Sequence, residues 1–146
     1  MKTKILFTGL AIVLLSAFGF AQKIEQGKVP SAIVSNFEKD HPRAKDIEWE
    51  RDGDNYKVEF EIGDSKQDHI SWYNSEGNLI KHKMEISYNQ LPVKVAAKLE
   101  SDFAGFKTDD IYKIDEGGKT KYKVELKNGK EDLKVVFDEN GNLLKK

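Results

Sequence analysis

The sequence predicts an α+β fold: two tandem α-β4 repeats that build one antiparallel sheet of about eight strands, with two helices packed on one face. Three observations carry this. The chain repeats itself, its central segments alternate apolar and charged residues, and each half opens with a short amphipathic stretch behind a proline. The repeat runs from Val29-Pro30 through Trp49, Tyr56-Lys57-Val58-Glu59-Phe60 and Gly77-Asn78-Leu79. It recurs from Leu91-Pro92 through Tyr122-Lys123-Val124-Glu125-Leu126 and Gly141-Asn142-Leu143. The offset is 62 residues at the prolines, 66 at the Tyr-Lys-Val-Glu segments and 64 at the Gly-Asn-Leu turns, the drift that short loop insertions produce. A repeat of this length holds a helix and several strands.

Each element follows from local pattern. Pro30 sits where a helix accepts proline, at its first position. Ile33 and Phe37 then share a face, and Asp40-His41-Pro42 ends the helix because the residue before proline leaves the α region. In the second half Pro92 starts the helix, Val95, Leu99 and Phe103 form its stripe, and Gly105 is expected as its stop. Helices of about three turns are not stable alone in water, so each stripe must lie on the sheet. Period-two alternation marks the strands, expected over 45–51, 55–62, 68–74, 79–87, 107–116, 119–127, 131–137 and 142–146. One charged face along each strand means a sheet covered on one side and wet on the other. Glycine- and asparagine-rich turns such as Asp52-Gly53-Asp54, Asn128-Gly129 and Glu139-Asn140-Gly141-Asn142 separate them.

The first 21 residues read as a cleavable leader. Lys2 and Lys4 precede an apolar run from Ile5 to Phe20, and Gly19-Phe20-Ala21 supplies small residues before a cut after Ala21. An uncleaved anchor is the alternative, but the run is short for a bilayer span. Residues 22–28 follow as a polar lead, then 29–88 and 89–146 as the two repeats of one compact domain. Removing Lys2 and Lys4 from the 24 basic residues leaves 22 against 25 acidic ones, a formal charge of −3. No basic excess points to nucleic acid. There is no cysteine, hence no disulfide, no thiolate nucleophile and no cysteine for a lipid anchor. These features place the protein in the periplasm or outside the cell.

Val29-Pro30, His41-Pro42-x-Ala44, Ile47-x-Trp49, Tyr56-x-Val58-x-Phe60 and Gly77-Asn78-Leu79 resemble the PepSY-like, β-lactamase-inhibitor-like family of exported bacterial proteins. The second copy, Leu91-Pro92 to Gly141-Asn142-Leu143, resembles it again. The resemblance implies a tandem arrangement with a concave sheet. In the inhibitor that gives the family its name, such a surface grips an enzyme. It carries over no catalytic motif.

Candidate residues come from comparing the halves. On the Gly-Asn-Leu turn Tyr73 matches Phe137, Ser71 matches Val135 and His69 matches Leu133. If the latter three face the core, Ile70 and Trp72 face the open side as a partner-binding anchor. A one-residue slip would put Tyr73 outside instead, so Trp72, Ile70 and Tyr73 are all candidates. Trp49 and Ile47 read as core, with Tyr112 and Ile114 as their counterparts. His69 and His82 lie on neighbouring strands and are weak zinc candidates with Asp68 or Glu85. No tight ligand spacing supports them, and no metal or other cofactor is expected. Asp138-Glu139-Asn140-Gly141-Asn142 lacks the length and closing Glu of a calcium loop and reads as a hairpin turn. No Gly-x-Ser-x-Gly, His-Glu-x-x-His or phosphate-binding glycine loop occurs. The expected function is a non-enzymatic exported binding module, an inhibitor-like binder of an envelope or extracellular protein or peptide on the open face. The alternative is a periplasmic small-ligand or metal-ion binding protein.

Overall fold

Each proline-led stretch forms a ten-residue helix, α1 over Ser31–Asp40 and α2 over Val93–Asp102, in a computed structural model that describes residues 22–64 and 66–146. The expected leader and its cut lie outside these residues. Among them no helix is long and apolar enough to cross a membrane. Pro30 and Pro92 sit one residue earlier than expected, as N-caps. Their carbonyls accept the first helical bonds, from the Val34 N–H at 3.2 Å and the Ala96 N–H at 3.0 Å. Helix α1 stops at Asp40 as His41-Pro42 requires. Helix α2 stops before Gly105: the C-cap is Phe103, whose N–H bonds the Leu99 carbonyl at 3.0 Å while its ring enters the core. Gly105 keeps a negative φ and plays no stop role.

The strands are β1 Gln22–Ile24, β2 Ala44–Asp52, β3 Asn55–Ile62, β4 Asp68–Tyr73, β5 Leu79–Glu85, β6 Lys107–Glu116, β7 Lys119–Lys127, β8 Asp132–Asp138 and β9 Leu143–Lys145. They form one sheet in the order of the sequence, and every neighbouring pair is antiparallel. There are nine rather than eight because the polar lead contributes β1, with Ile24 opposite Trp49. Three residues holding one apolar side chain give no periodicity to read. A 3-10 turn precedes each helix, Gln26–Lys28 before α1 and Tyr88–Gln90 before α2. Strand β5 pairs with β4 on one side and β6 on the other, so the halves join through an unbroken ladder.

Two cores lie between helices and sheet. In the first, Ile33 and Phe37 meet Trp49, Val58, Phe60 and Tyr73. The Phe37 ring stands edge-on to Trp49 at 5.3 Å and to Phe60 at 5.0 Å. Burying such a side chain stabilises by ~1.5–3 kcal/mol, and each edge-to-face pair adds ~0.5–1.5 kcal/mol. In the second, Val95 and Leu99 meet Ile111, Val124, Val135 and Phe137. Each Gly-Asn-Leu turn tucks against its helix. Asn36 Nδ2 donates to the Gly77 carbonyl at 2.8 Å. At Gly141, with φ of +78°, an added Cβ would stand 2.7 Å from the Lys94 carbonyl oxygen. That is why glycine recurs at this point of the repeat.

Gly141→Ala should therefore destabilise by ~2–4 kcal/mol, from positive φ and collision together. Gly129→Ala has a φ of +83° but open space, and should cost only ~1 kcal/mol. Urea unfolding of both variants measures the difference, and equal losses would show that helix contact at Gly141 contributes nothing.

Candidate functional site

A strand's two faces are fixed by which residues meet the helices. Val58, Phe60 and Tyr56 point to the core, so Lys57, Glu59 and Glu61 point away from it. Register carries this assignment across the sheet. Trp72 lies opposite Lys57 and Ile70 opposite Glu59, while Tyr73, Ser71 and His69 lie opposite Tyr56, Val58 and Phe60. Ile70 and Trp72 are therefore on the open face. Tyr73 is not: it is fully buried under α1, where burial and the nearby Asp40 carboxylate push its hydroxyl upward in pKa. Tyr73 drops out as a surface residue, because the register that exposes Trp72 buries its neighbour.

The second half also corrects the sequence expectation. Trp49 is core, opposite Val58, and the residue opposite Val124 is Ile111. Ile111 is thus the counterpart of Trp49, and Tyr112 and Ile114 stand on the open face. Bulges set this phase, between Lys45 and Glu48 in β2 and between Thr108 and Ile111 in β6. Beyond Ile111 the inward positions are Lys113 and Asp115, since no helix covers that end of β6. The offset of 62 at the prolines, carried forward from Trp49, lands on Ile111 and was the signal available. Lys83, between Ile70 and Ile114 in register, was also missed.

The open face thus carries an interrupted aromatic and aliphatic strip: Ile70 and Trp72 on β4, Tyr112 and Ile114 on β6 and Val136 on β8, all partly exposed, with the lysines of β5 and β7 between them. Lysines lie on its rings. Lys81 Nζ is 4.8 Å from the Trp72 ring, and Lys83 and Lys123 are 3.7 and 5.5 Å from Tyr112. The indole N–H of Trp72 donates to Asp52 Oδ2 at 3.0 Å. Burial first, then the neighbouring Lys123 charge, hold the Lys83 ammonium below the usual lysine range. Ion pairs flank the strip: Lys57 with Glu50 and Glu59 at 3.0 and 2.5 Å, and Glu125 with Lys123 and Lys134 at 2.9 and 3.4 Å. A hollow of about 200 Å³ beside Tyr112 is lined by Glu48, Glu59, Glu61, Asp68 and Lys83, among others.

On the helix side, between the two cores, the three histidines gather. His69 Nδ1 is 3.2 Å from His82 Nε2, and the His41 ring is 5.7 Å from His82. Phe60 stacks on His69 at 5.3 Å. The pair is close, but among the described residues no three potential ligands are placed to hold a metal ion. Asp138 is likewise committed to its own turn: Oδ1 accepts from the N–H groups of Asn140 and Asn142, each at 2.9 Å.

The family described as "Putative beta-lactamase-inhibitor-like, PepSY-like" matches residues 20–81 and again residues 67–145. Among solved structures, a BLIP-like protein from Bacteroides fragilis is 24% identical with a TM-score of 0.68, over 80% of this chain and 83% of that one. One of the "putative periplasmic proteins" of Bacteroides eggerthii is 16% identical with a TM-score of 0.72, over 80% of this chain and 86% of that one. These structures share the fold. No curated protein matches the chain.

The histidine cluster is expected to make the fold acid-sensitive. Burial first, then the charges of His69 and His41, push His82 down to about 4 from 6.5, and His69 and His41 are lowered too, burial again the main cause. Between those values the unfolded chain binds more protons than the folded one, so stability falls as pH drops from 6.5 toward 4. The expected loss is about 1–3 kcal/mol after allowing for partial solvent access. In urea titrations at pH 7 and pH 4.5, His82→Gln should lose less on acidification than the native chain. An unchanged acid loss would place its source elsewhere.

Proposed function

The chain belongs to the PepSY-like, beta-lactamase-inhibitor-like family, and from that premise we propose that it is a non-enzymatic exported module which binds a protein or extended peptide on its open sheet face. The observation that carries this is the strip of Ile70, Trp72, Tyr112 and Ile114 between flanking charges. Aromatic anchors at the centre of a surface, ringed by polar groups that exclude water, dominate protein–protein binding energy. Lysine stems along the rings keep the strip soluble while unbound and can swing aside when a partner arrives. A broad ribbon of this shape suits another macromolecule better than a small molecule, which prefers an enclosed apolar cavity. The leader and the likeness to a structure called periplasmic support a site of action outside the cytoplasm. Inhibition of an envelope hydrolase is the sharpest version of the reading.

Immobilised protein, residues 22–146, should retain a partner from an envelope extract. Trp72→Ala and Tyr112→Ala should weaken retention by about tenfold or more each, the scale of a hot-spot truncation. Val93→Ala, on a helix residue that is 84% exposed, should leave it unchanged. Equal retention by all three variants would remove the open face as the binding surface. Circular dichroism of each variant excludes misfolding as the cause.

A further inference from the structure

Asparagine followed by glycine occurs twice in the chain, at Asn128-Gly129 between β7 and β8 and at Asn140-Gly141 between β8 and β9. Both glycines have positive φ, +83° and +78°. A glycine in this place brings no Cβ to hinder its own amide nitrogen from approaching the asparagine side chain. The two turns nevertheless hold the dipeptide differently. At the second, the Gly141 N–H donates to the Asp138 carbonyl at 3.1 Å. Asn140 Oδ1 accepts from Lys94 Nζ at 3.3 Å, and Asp138 Oδ1 fixes the N–H groups of Asn140 and Asn142. Helix α2 lies so close to Gly141 that the turn has no room to swing. At the first, every one of these restraints is missing. Among the described residues the Gly129 N–H makes no hydrogen bond, the space beside Gly129 is open, and residues 127–131 are all exposed. The Asn128 side chain is folded back over its own turn, where Oδ1 accepts from the N–H groups of Lys130 at 2.8 Å and Glu131 at 2.9 Å. Two donors on that oxygen stabilise the negative charge it gains when the carbonyl carbon is attacked.

We propose that Asn128 is a site of self-modification in the folded protein, converted through a cyclic imide with Gly129 to aspartate and isoaspartate, while Asn140 is protected. The Gly129 nitrogen gives its proton to solvent base and bonds to Asn128 Cγ. The Cγ–Nδ2 bond breaks, and the side-chain nitrogen takes a proton from water and leaves as ammonia. Solvent water then opens the imide. Cleavage of the bond between nitrogen and Cγ gives aspartate, and cleavage of the bond between nitrogen and the backbone carbonyl carbon gives isoaspartate. Nothing is oxidised or reduced. The surroundings receive the two products differently. Lys107 and Lys127 stand opposite each other across β6 and β7, a like-charge pair that disfavours the sheet, with Asp109 on Lys127. Asn128 lines the same hollow as these lysines, so aspartate there brings them a second carboxylate. Isoaspartate instead lengthens the main chain by one carbon, directly beside the Lys127–Asp132 pair that starts the β7–β8 ladder, and loosens that hairpin. The site lies apart from the open-face strip, so the proposal does not rest on the binding reading.

Residues 22–146, which hold both cores, are kept folded in warm, mildly alkaline buffer, and their proteolytic peptides are weighed by mass spectrometry over time. The exchange of –NH2 for –OH should be at least about tenfold faster at Asn128 than at Asn140, since only the second turn must first break its hydrogen bonds and leave the helix. In guanidinium chloride, where both turns are lost, the two rates should agree within about threefold. Gly129→Ala should slow the exchange at Asn128 at least about fivefold, because a Cβ then crowds the attacking nitrogen, and should leave Asn140 unchanged. Circular dichroism confirms that this variant is folded. Equal rates at the two sites in the folded chain overturn the proposal. So does exchange at Asn128 that appears only in guanidinium chloride. Exchange at Asn128 indifferent to Gly129→Ala also overturns it, because water would then be attacking the side chain directly.

Discussion

Everything in this fold depends on covering one face of a wide sheet with very little helix. A ten-residue helix is ~15 Å long and ~10 Å across, while nine strands span ~38 Å. One such helix cannot shield that face, and the chain solves this by duplication. Each helix sits over its own part of the sheet, around Ile33 and Phe37 in one half and around Val95 and Leu99 in the other. Neither helix has the length to survive outside that contact. The glycine turns at Gly77 and Gly141 exist to let the sheet come close under each helix. Two roofs of this size leave a gap between them. Apart from Met84, the inward residues of that gap are the polar His69, Ser71, His82, Lys113 and Asp115. The histidine cluster is thus a consequence of coverage: side chains half-withdrawn from water, held neutral by burial, at the join of two cores.

The same constraint fixes the other face. A residue left outside by register cannot be reached by any helix, so whatever stands there meets solvent or a partner. Bulges in β2 and β6 decide the membership. They turn Trp49 and Ile111 inward and so place Tyr112 and Ile114 outward beside Trp72. An aromatic residue on a wet strand face contributes little to folding beyond its cross-strand contacts. The outward Lys81 and Lys83 of β5 stand between Trp72 on β4 and Tyr112 and Ile114 on β6, and the lysines over the rings show how the free chain shields them.

Much of this was legible in the sequence, and the misses have physical causes. The repeat, the helices, the turns and eight of the strands could be read because each leaves a periodic trace. Strand β1 left none, having three residues and one apolar side chain. The exposure of Trp72 followed from matching Tyr73 with Phe137, which are both core, yet the same match should have withdrawn Tyr73 from the surface. Tyr112 and Ile114 were misplaced because hydrophobicity was assumed to point inward. Near the gap between the helices that rule reverses, since Lys113 and Asp115 have water above them and the apolar residues have the strip beside them. The approach of His69 to His82 followed from their neighbouring strands, whereas the arrival of His41 depended on the chain path around the end of α1, which a spacing of 28 residues does not disclose.

A face that is apolar at its centre and oppositely charged on its two sides behaves differently from a uniformly charged one. With a formal charge near zero the chain exerts little net field at long range, so distant partners are not drawn in by sign alone. Within a Debye length of ~8–10 Å the two halves act separately, and only a partner carrying the reverse division gains from both. Burial of the strip against a partner would add affinity that salt does not screen. Specificity from the divided charge and affinity from the aromatic centre are separable in this architecture, because register places them on different strands: Glu59 and Glu61 on β3, Trp72 on β4, Tyr112 on β6 and Lys121 on β7.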